Sequence, residues 1–280
     1  MQTIKVSCSK DQADLVSEIC LKSGALGVSE LLYKINETKN LENDYTDILI
    51  TFSADFPYRT VFTLLEETIL GFPLKYEPVD VESFLTEEFE PVRLSSRLTM
   101  IPEGTSAPAD LELGLKLSPG LGFGTGYHPT TRMCVQALES MDLTDMGLID
   151  AGTGSGILAI AGILLGARKV IGFDIEDQAV SAARRNYALN ELDPDQARFL
   201  TGDLGLLSEH SFDLLVANLL PKIFYNNFDN VAVHLRHKAF ILSGINAENS
   251  TEFELWLKDI QPKYCKRTLE GWGLYTSFEF

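Results

Sequence analysis

Three glycines at alternate positions, Gly152, Gly154 and Gly156, form the stretch with the clearest chemical meaning. They follow an apolar run that ends at Asp150, and a helix-forming apolar run begins at Ile157. This order of strand, glycine turn and helix is typical of the first unit of a nucleotide-binding α/β sheet. Dinucleotide folds space their glycines as G-x-G-x-x-G to hold a pyrophosphate at a helix N-terminus. The shorter spacing here favours a ligand without phosphates, such as S-adenosylmethionine, over a tight turn that binds nothing.

Asp174 is the second candidate for ligand binding. It follows the predicted strand 169–173 and comes 22 residues after Gly152. An acidic residue at about this distance lies at the tip of the second strand, where its carboxylate can accept hydrogen bonds from both hydroxyls of a ribose. The alternative is that Asp174 only begins the following helix, whose first turn is acidic. Because the glycine loop is present, we favour the ribose contact.

Two further polar residues stand where a reacting group could lie. His128 belongs to the glycine-rich segment 119–131, and so many glycines imply backbone that turns and closes over something. His128 therefore either faces an active site or shapes this loop. Asn218 follows the buried run 212–217, and the carboxyl end of a central strand faces the crevice where open α/β sheets bind ligands. As a helix N-cap, Asn218 would instead have no chemical role.

Three nearby residues carry ambiguous signals. Thr130 and Thr131 precede the predicted helix 132–139 and could form its N-cap. Asp203 follows the strand-like run 198–200 and could reach an adenine amino group, or it could lie in a surface turn.

Composition limits the classes of partner. The 280 residues carry a formal net charge of −17, so direct nucleic-acid binding is not expected, because phosphate contacts need a basic face. An acidic surface suits a basic protein substrate, and the alternative is that the charge serves only solubility. No apolar run reaches the length of a membrane span and the first residues lack a signal-peptide core, so we expect a cytoplasmic protein, and we expect it to be a monomer. The cysteines are scattered, which predicts buried thiols and no metal site: Cys8, Cys20, Cys134 and Cys265.

The elements that must position these residues divide the chain into three parts. Residues 1–80 follow the order βαββαβ, which predicts a small ferredoxin-like α+β domain. Residues 81–110 begin with a cluster of four glutamates at 82–90, continue with prolines, and predict a connector. From 111 to 280, alternating strands and helices predict a doubly wound, mostly parallel α/β sheet of the seven-stranded Rossmann-like type. The last two strands have no helix between them and predict an antiparallel hairpin, as is common in S-adenosylmethionine-dependent methyltransferases.

Taken together, these motifs resemble the PrmA family, the methyltransferases of ribosomal protein L11. The resemblance rests on F-G-T-G-Y-H-P-T-T (123–131), D-A-G-T-G-S-G-I-L-A-I-A (150–161), V-I-G-F-D-I-E-D-Q-A-V-S-A-A-R-R-N (170–186), D-L-L-V-A-N-L-L (213–220) and I-L-S-G-I (241–245). It implies methyl transfer from S-adenosylmethionine to amino groups of that ribosomal protein, on lysine side chains and with the N-terminal amine as a further candidate. It also implies that residues 1–80 recognise the substrate.

The resemblance assigns roles to particular residues. Cofactor contacts fall to Thr131, Gly152, Asp174 and Asn218, with Gly154 beside them in the glycine loop. His128 and Asn218 are placed beside the acceptor amine. Asn218 could then aim the lone pair of the amine through its amide oxygen, and a neutral His128 could accept the released proton or only shape the loop.

The sequence departs from the family in two places, and it leaves other functions open. Acidic residues stand at 82–89, where the family carries tryptophan and basic residues, and H-L-R-H-K replaces a proline-glycine turn before the fifth strand. The first departure bears on substrate docking. The alternatives are a lysine methyltransferase of another protein, such as an electron-transfer flavoprotein subunit, an NAD-dependent oxidoreductase, and a binding module without activity.

Overall fold

The protein is described here by a computed structural model. It describes residues 2–9, 12–25, 27–31, 45–69, 75–79, 90–118, 126–261 and 263–279. These residues form two compact units, which divide between Glu90 and Pro91. The boundaries predicted from the sequence, and the recognition role of residues 1–80, stay predictions. The glutamate-rich part of the predicted connector, 81–89, lies outside the described residues.

The first unit is a four-stranded sheet with two helices. Its elements are β1 (Gln2–Ser9), α1 (Ala13–Lys22), β2 (Gly27–Leu31), β3 (Tyr45–Phe52), α2 (Tyr58–Thr68) and β4 (Lys75–Val79). The strand order is β2-β3-β1-β4, and each pair of neighbours is antiparallel. Apolar residues at alternate positions of β1 and β3, such as Ile4, Val6, Ile48 and Ile50, are buried with residues of both helices. The predicted βαββαβ order and ferredoxin-like fold are confirmed.

A small three-stranded sheet begins the second unit. It consists of β5 (Val92–Arg93), β6 (Leu98–Pro102) and β7 (Leu113–Leu117) in the order β5-β6-β7. The sequence predicts a connector over 81–110, because its prolines argue against regular structure, and this prediction therefore misses β5 and β6. Every residue of β6 is nevertheless buried, and Pro102 occupies its last position, where a missing N–H does little harm.

The rest of the second unit alternates strands and helices around one large sheet. In chain order the elements are α3 (Pro129–Glu139), β8 (Gly147–Ala151), α4 (Ile157–Leu164), β9 (Lys169–Asp174), α5 (Asp177–Leu189), β10 (Ala197–Thr201), β11 (Leu214–Asn218), α6 (Pro221–Asn226), α7 (Phe228–Leu235), β12 (Ala239–Asn246), α8 (Ala247–Ile260), β13 (Cys265–Leu269) and β14 (Trp272–Thr276). Short 3-10 helices, Pro194–Gln196 and Leu204–Glu209, flank β10.

The large sheet has seven strands in the order β10-β9-β8-β11-β12-β14-β13. The strands from β10 to β12 are parallel, and β14 and β13 are antiparallel. A separate hydrophobic core covers each face of the sheet. Successive residues of a strand pack into different cores, as Leu148 does on one face and Ile149 on the other. Since both faces are covered, the strands are apolar throughout, as expected of a doubly wound fold. The predicted seven-stranded sheet and its terminal hairpin are confirmed.

The strand order places a ligand crevice beside β8. The chain runs outward from β8 through β9 to β10, then returns to the other side of β8 at β11. At this reversal the connections leave on opposite faces, so the carboxyl ends of β8 and β11 border an open crevice. The antiparallel β14 brings the hairpin turn to the same edge, since Trp272 pairs with Asn246 at the carboxyl end of β12.

Other features bear on the earlier expectations. None of the four cysteines, all of which the structure describes, forms a disulfide; three are buried and Cys265 is half-buried. No helix within the described residues is both long and apolar enough to cross a bilayer.

Gly244 makes a bulge in β12 that holds the end of β11 close. The register of β12 against β14 shifts between Ser243 and Ile245, and Gly244 has φ +89°. A Cβ at Gly244 would lie 2.5 Å from the carbonyl oxygen of Leu219 and 2.9 Å from its nitrogen. The same backbone is tied to β12 by a hydrogen bond from Leu219 N to Ser243 O, at 3.0 Å. Glycine is therefore required both for its conformation and for the close approach.

Gly244→Ala should destabilise the fold strongly. Gly104 offers a matched control, because its φ is +85° and nothing lies within 4 Å of its Cβ position. Gly104→Ala should lower the free energy of unfolding by about 1–2 kcal/mol through backbone strain alone. Gly244→Ala should add an overpacking cost of roughly 1–3 kcal/mol. Urea denaturation of both variants measures the difference, and equal losses would show that the approach of Leu219 does not constrain the fold.

Candidate functional site

The glycine loop leaves β8 and is fastened to the neighbouring strand. The backbone N–H groups of Gly152 and Thr153 both donate to the carbonyl of Phe173 in β9, at 2.8 and 2.9 Å. Gly152 has φ +71°, and a Cβ there would overlap the side chain of Leu219, which follows β11. The loop thus lies against the tips of both strands that flank β8, with no room for a side chain at its first glycine.

A buried carboxylate organises the inner side of the loop. Asp150 is 1% exposed, and its Oδ2 accepts hydrogen bonds from Thr153 Oγ1 at 2.6 Å and from Ala159 N of α4 at 3.1 Å. Its Oδ1 has no hydrogen-bond partner in the structure. Burial raises the pKa of Asp150 to about 6, against the two hydrogen bonds that lower it, and the negative charge of Asp174 raises it further. Burial therefore outweighs the hydrogen bonds in setting this pKa.

Asp174 closes the outer side of the same loop. Its Oδ2 accepts from Gly154 N at 3.0 Å, and its Oδ1 accepts from Glu176 N at 3.2 Å. Helix α5 begins only at Asp177, so the alternative in which Asp174 merely starts that helix is wrong. Each carboxylate oxygen uses one lone pair on the backbone and retains another. Asp174 is half-buried at the strand tip and can accept two further hydrogen bonds from a ligand.

Asp203 serves the backbone. Its Oδ1 accepts from Gly205 N at 2.8 Å and caps the 3-10 helix Leu204–Glu209. Its side chain is exposed. Of the two interpretations of Asp203, the structure therefore favours the surface turn.

Helix α3 begins earlier than its sequence suggests. Pro129 is its first residue and His128 is its N-cap, with Nδ1 accepting from Thr130 N at 3.3 Å. The interpretation of Thr130 and Thr131 as the N-cap is therefore wrong: both lie inside the first turn and are buried, at 2% and 1% exposed. An imidazole is an uncommon cap, while proline at the first helical position is common. The glycine-rich residues 119–125 that precede this turn lie outside the described residues.

A chain of hydrogen bonds joins the start of α3 to the tip of β11. His128 Nδ1 lies 2.5 Å from Thr130 Oγ1, and Asn218 Nδ2 donates to the same Oγ1 at 3.0 Å. The His128 ring packs edge-on against Trp272 of β14, with ring centroids 4.6 Å apart and planes at 76°. The structure thus brings His128 and Asn218 into one cluster, through a threonine hydroxyl and beside an aromatic ring.

The surroundings of His128 keep its imidazole neutral. Burial lowers its pKa to about 4, and the positive charge of Arg132 lowers it as well, whereas the negative charge of Glu270 raises it. Arg132 and Glu270 are themselves joined by an ion pair of 2.7 Å, which ties α3 to the β13–β14 hairpin. At neutral pH the ring therefore carries one proton, on one of its two nitrogens.

The sequence-predicted residues fall into two groups at one edge of the sheet. Gly152, Gly154 and Asp174 surround the glycine loop, and His128, Thr131 and Asn218 lie at α3 and β11. In register, Ala151 pairs with Phe173 on one side and with Ala217 on the other, so Asp174 and Asn218 each follow a residue level with the end of β8. With neighbouring strands about 4.8 Å apart, their backbones lie roughly 10 Å from each other across β8.

Sequence reasoning missed two members of the cluster. Thr130 contributes the shared hydroxyl, although the sequence suggested only a capping role. Trp272 and the hairpin turn reach the crevice because β14 inserts between β12 and β13. The terminal hairpin was predicted, but its position in the sheet was not, so no signal linked Trp272 to His128.

The edge offers hydrogen-bond donors and acceptors that suit a nucleoside. Backbone turns without Cβ atoms, a carboxylate with free lone pairs and a side-chain amide can bind a ribose and orient a polar group. Among the described residues there is no group of three or more His, Cys, Asp or Glu side chains that could hold a metal ion.

Comparison with known proteins gives a consistent result. The family model described as ribosomal protein L11 methyltransferase (PrmA) matches residues 1–260. The ribosomal protein L11 methyltransferase of Shewanella denitrificans is 32% identical, over 93% of this chain and 94% of the relative. That of Thiobacillus denitrificans is 36% identical, over 90% of each chain. A crystal structure of ribosomal protein L11 methylase from Lactobacillus delbrueckii subsp. bulgaricus is 31% identical, with a TM-score of 0.59, and the match covers 69% of this chain and 100% of that one.

The raised pKa of Asp150 predicts a pH-dependent cost to stability. The folded protein holds the Asp150 proton up to a pKa of about 6, whereas the ordinary value is 3.8. Between these values the folded state binds more protons than the unfolded state, so stability falls as pH rises through this window. At about 1.4 kcal/mol per unit, the loss is at most roughly 3 kcal/mol.

Asp150→Asn should remove this dependence. Free energies of unfolding are measured for the wild type and the variant from pH 4 to pH 7. As pH rises, the wild type should lose stability relative to the variant, by at most roughly 3 kcal/mol. Curves that stay parallel across the window would contradict the assignment.

Proposed function

Because the chain belongs to the ribosomal protein L11 methyltransferase (PrmA) family, we propose that it is an S-adenosylmethionine-dependent methyltransferase of protein amino groups. The observation that carries the proposal is the register of β9, β8 and β11, which sets Asp174, the glycine loop and Asn218 along one edge. A nucleoside site and a candidate orienting amide thereby lie about two strand spacings apart, or roughly 10 Å.

The residues of the glycine loop fit the proposed cofactor. Asp174 would accept both ribose hydroxyls on the lone pairs that the backbone of Gly154 and Glu176 leaves unused. Gly152 would lie under the ligand, where a side chain would intrude. Thr131 is also proposed as a cofactor contact. It is 1% exposed, so it would touch the cofactor only where the first turn of α3 borders the crevice. When bound, S-adenosylmethionine supplies a methyl group activated by a sulfonium.

The protein's main task is then to present a neutral amine in line with that methyl group. A lysine must first lose a proton, which costs roughly 4–5 kcal/mol at pH 7 from a pKa near 10.4. Desolvation and a nearby positive charge both lower an amine pKa, so a crevice closed around the substrate reduces this cost. Asn218 would accept a hydrogen bond from the amine on its amide oxygen and direct the lone pair.

We propose ribosomal protein L11, and lysine side chains on it, as the target, because the relatives carry that name. The net charge of −17 suits a basic protein substrate. A lysine of another protein, such as an electron-transfer flavoprotein subunit, would use the same site and is the remaining alternative. The NAD-dependent oxidoreductase is set aside, because the chain belongs to a methyltransferase family. The predictions of a cytoplasmic monomer and of no direct nucleic-acid contact are kept as proposals.

Asp174→Ala should weaken S-adenosylmethionine binding by roughly 2–3 kcal/mol, the range expected for hydrogen bonds to a charged group. Asp177→Ala is the matched control, because Asp177 is an exposed carboxylate three residues away whose Oδ1 accepts from Thr201 Oγ1. Calorimetric titration of both folded variants measures the effect. If Asp174→Ala binds as tightly as Asp177→Ala, the ribose assignment is wrong.

Asn218→Ala should reduce turnover far more than it reduces cofactor affinity. Loss of a preorganised polar contact in the transition state is worth roughly 2–4 kcal/mol. Asn218→Asp is the sharper variant, because a carboxylate would hold the amine as ammonium and raise its pKa. Its activity should fall at neutral pH and recover in part as pH rises. Wild-type turnover across the pH range would reduce Asn218 to a structural role.

A further inference from the structure

We propose that Thr130 is a positioning residue for methyl transfer: its hydroxyl, held between His128 and Asn218, fixes the direction of the Asn218 amide so that Oδ1 faces the acceptor amine. This inference rests on the proposed function. It concerns a hydroxyl group that has no assigned role and that is 2% exposed, inside the first turn of α3.

The direction of the chain is set at its His128 end. The backbone N–H of Thr130 points at His128 Nδ1, with 3.3 Å between the two nitrogens. A backbone N–H can only donate, so Nδ1 must be the unprotonated nitrogen of the neutral ring. The proton of the imidazole then lies on Nε2. The low pKa of His128, caused mainly by burial, keeps the ring in this neutral form.

The threonine hydroxyl transmits this direction. Its single proton must point to Nδ1, which is 2.5 Å away and can only accept. Toward β11, Thr130 Oγ1 can therefore only accept a hydrogen bond. Asn218 Nδ2 lies 3.0 Å from this oxygen. Only the Nδ2 side of that amide can donate to it, so Oδ1 points away from α3. In the reverse orientation two hydrogen-bond acceptors would face each other at a partly buried site, which is unfavourable.

The same order of protons excludes one role for His128. A ring whose Nδ1 accepts two hydrogen bonds from Thr130 carries its proton on Nε2, so Nε2 is a donor and cannot take a proton from the amine. His128 therefore acts through Thr130 on Asn218. The released proton must then pass to solvent, which can reach this cluster because His128 and Asn218 are only half-buried.

Two substitutions separate the hydroxyl from the shape of the side chain. Thr130→Val keeps the branched shape and removes the hydroxyl, whereas Thr130→Ser keeps the hydroxyl and removes a methyl group. In Thr130→Val the Asn218 amide is free to turn over, so kcat for methylation of the protein substrate should fall about tenfold or more, with S-adenosylmethionine Kd within about threefold of the wild type. Thr130→Ser should retain kcat within about threefold. Equal kcat in the valine variant and the wild type, or equal losses in both variants, would overturn the proposal.

A second measurement needs no substrate and tests the order of protons directly. In the ¹⁵N spectrum of histidine-labelled resting protein, His128 should show the neutral tautomer with its proton on Nε2 at pH 7. In Thr130→Val this preference should weaken. A wild-type His128 that carries its proton on Nδ1 would refute the direction of the chain. If the wild type transferred no methyl group to any protein, the proposed function would fail, while the tautomer would still decide the direction of the hydrogen bonds from Thr130 to His128.

Discussion

The carboxylate of Asp150 is the interaction on which the site depends. It is buried at the end of the central strand β8, and its Oδ2 holds both the turn, through Thr153, and the start of α4, through Ala159. One charged group thus fixes the path between strand and helix, where the glycines themselves impose no conformation. Burial of this carboxylate raises the pKa of Asp150, because desolvation opposes its ionisation. A loop held from within in this way can present its outer face to a ligand without rearranging.

The two halves of the edge are built by different physical means. Around Asp174 the contacts are charge-assisted hydrogen bonds to backbone N–H groups, which leave the carboxylate ready for further donors. Around Asn218 they are neutral, partly buried hydrogen bonds in a fixed order, joined to α3 through Thr130 and to Trp272 through the His128 ring. The first half suits recognition of a ribose. The second half suits control of a neutral nucleophile, because it adds no negative charge that would favour ammonium.

The sequence sufficed for the parts of the fold that local patterns determine. The glycine loop and Asp174 follow from one strand–turn–helix unit, and the order of elements in both units follows from apolar periodicity. The strands β5 and β6 were missed because they are short and bounded by prolines. The contact between Thr130 and Asn218 joins residues 88 positions apart, so only the sheet order brings them together. The start of α3 was misplaced because His128 caps it with a ring nitrogen, which capping preferences do not anticipate.

The central claim is that this edge of the sheet transfers methyl groups from S-adenosylmethionine to amino groups of a basic ribosomal protein. The most direct measurement is incubation of the purified protein with methyl-labelled S-adenosylmethionine and unmethylated ribosomal protein L11, followed by mass spectrometry of the intact substrate and its peptides. The account predicts mass increments of methyl groups on lysine residues, dependent on the enzyme and on the labelled donor. An unmodified ribosomal protein, with label transferred instead to another protein in a parallel cell extract, would contradict the assignment of the substrate. No transfer to any protein would contradict the account as a whole.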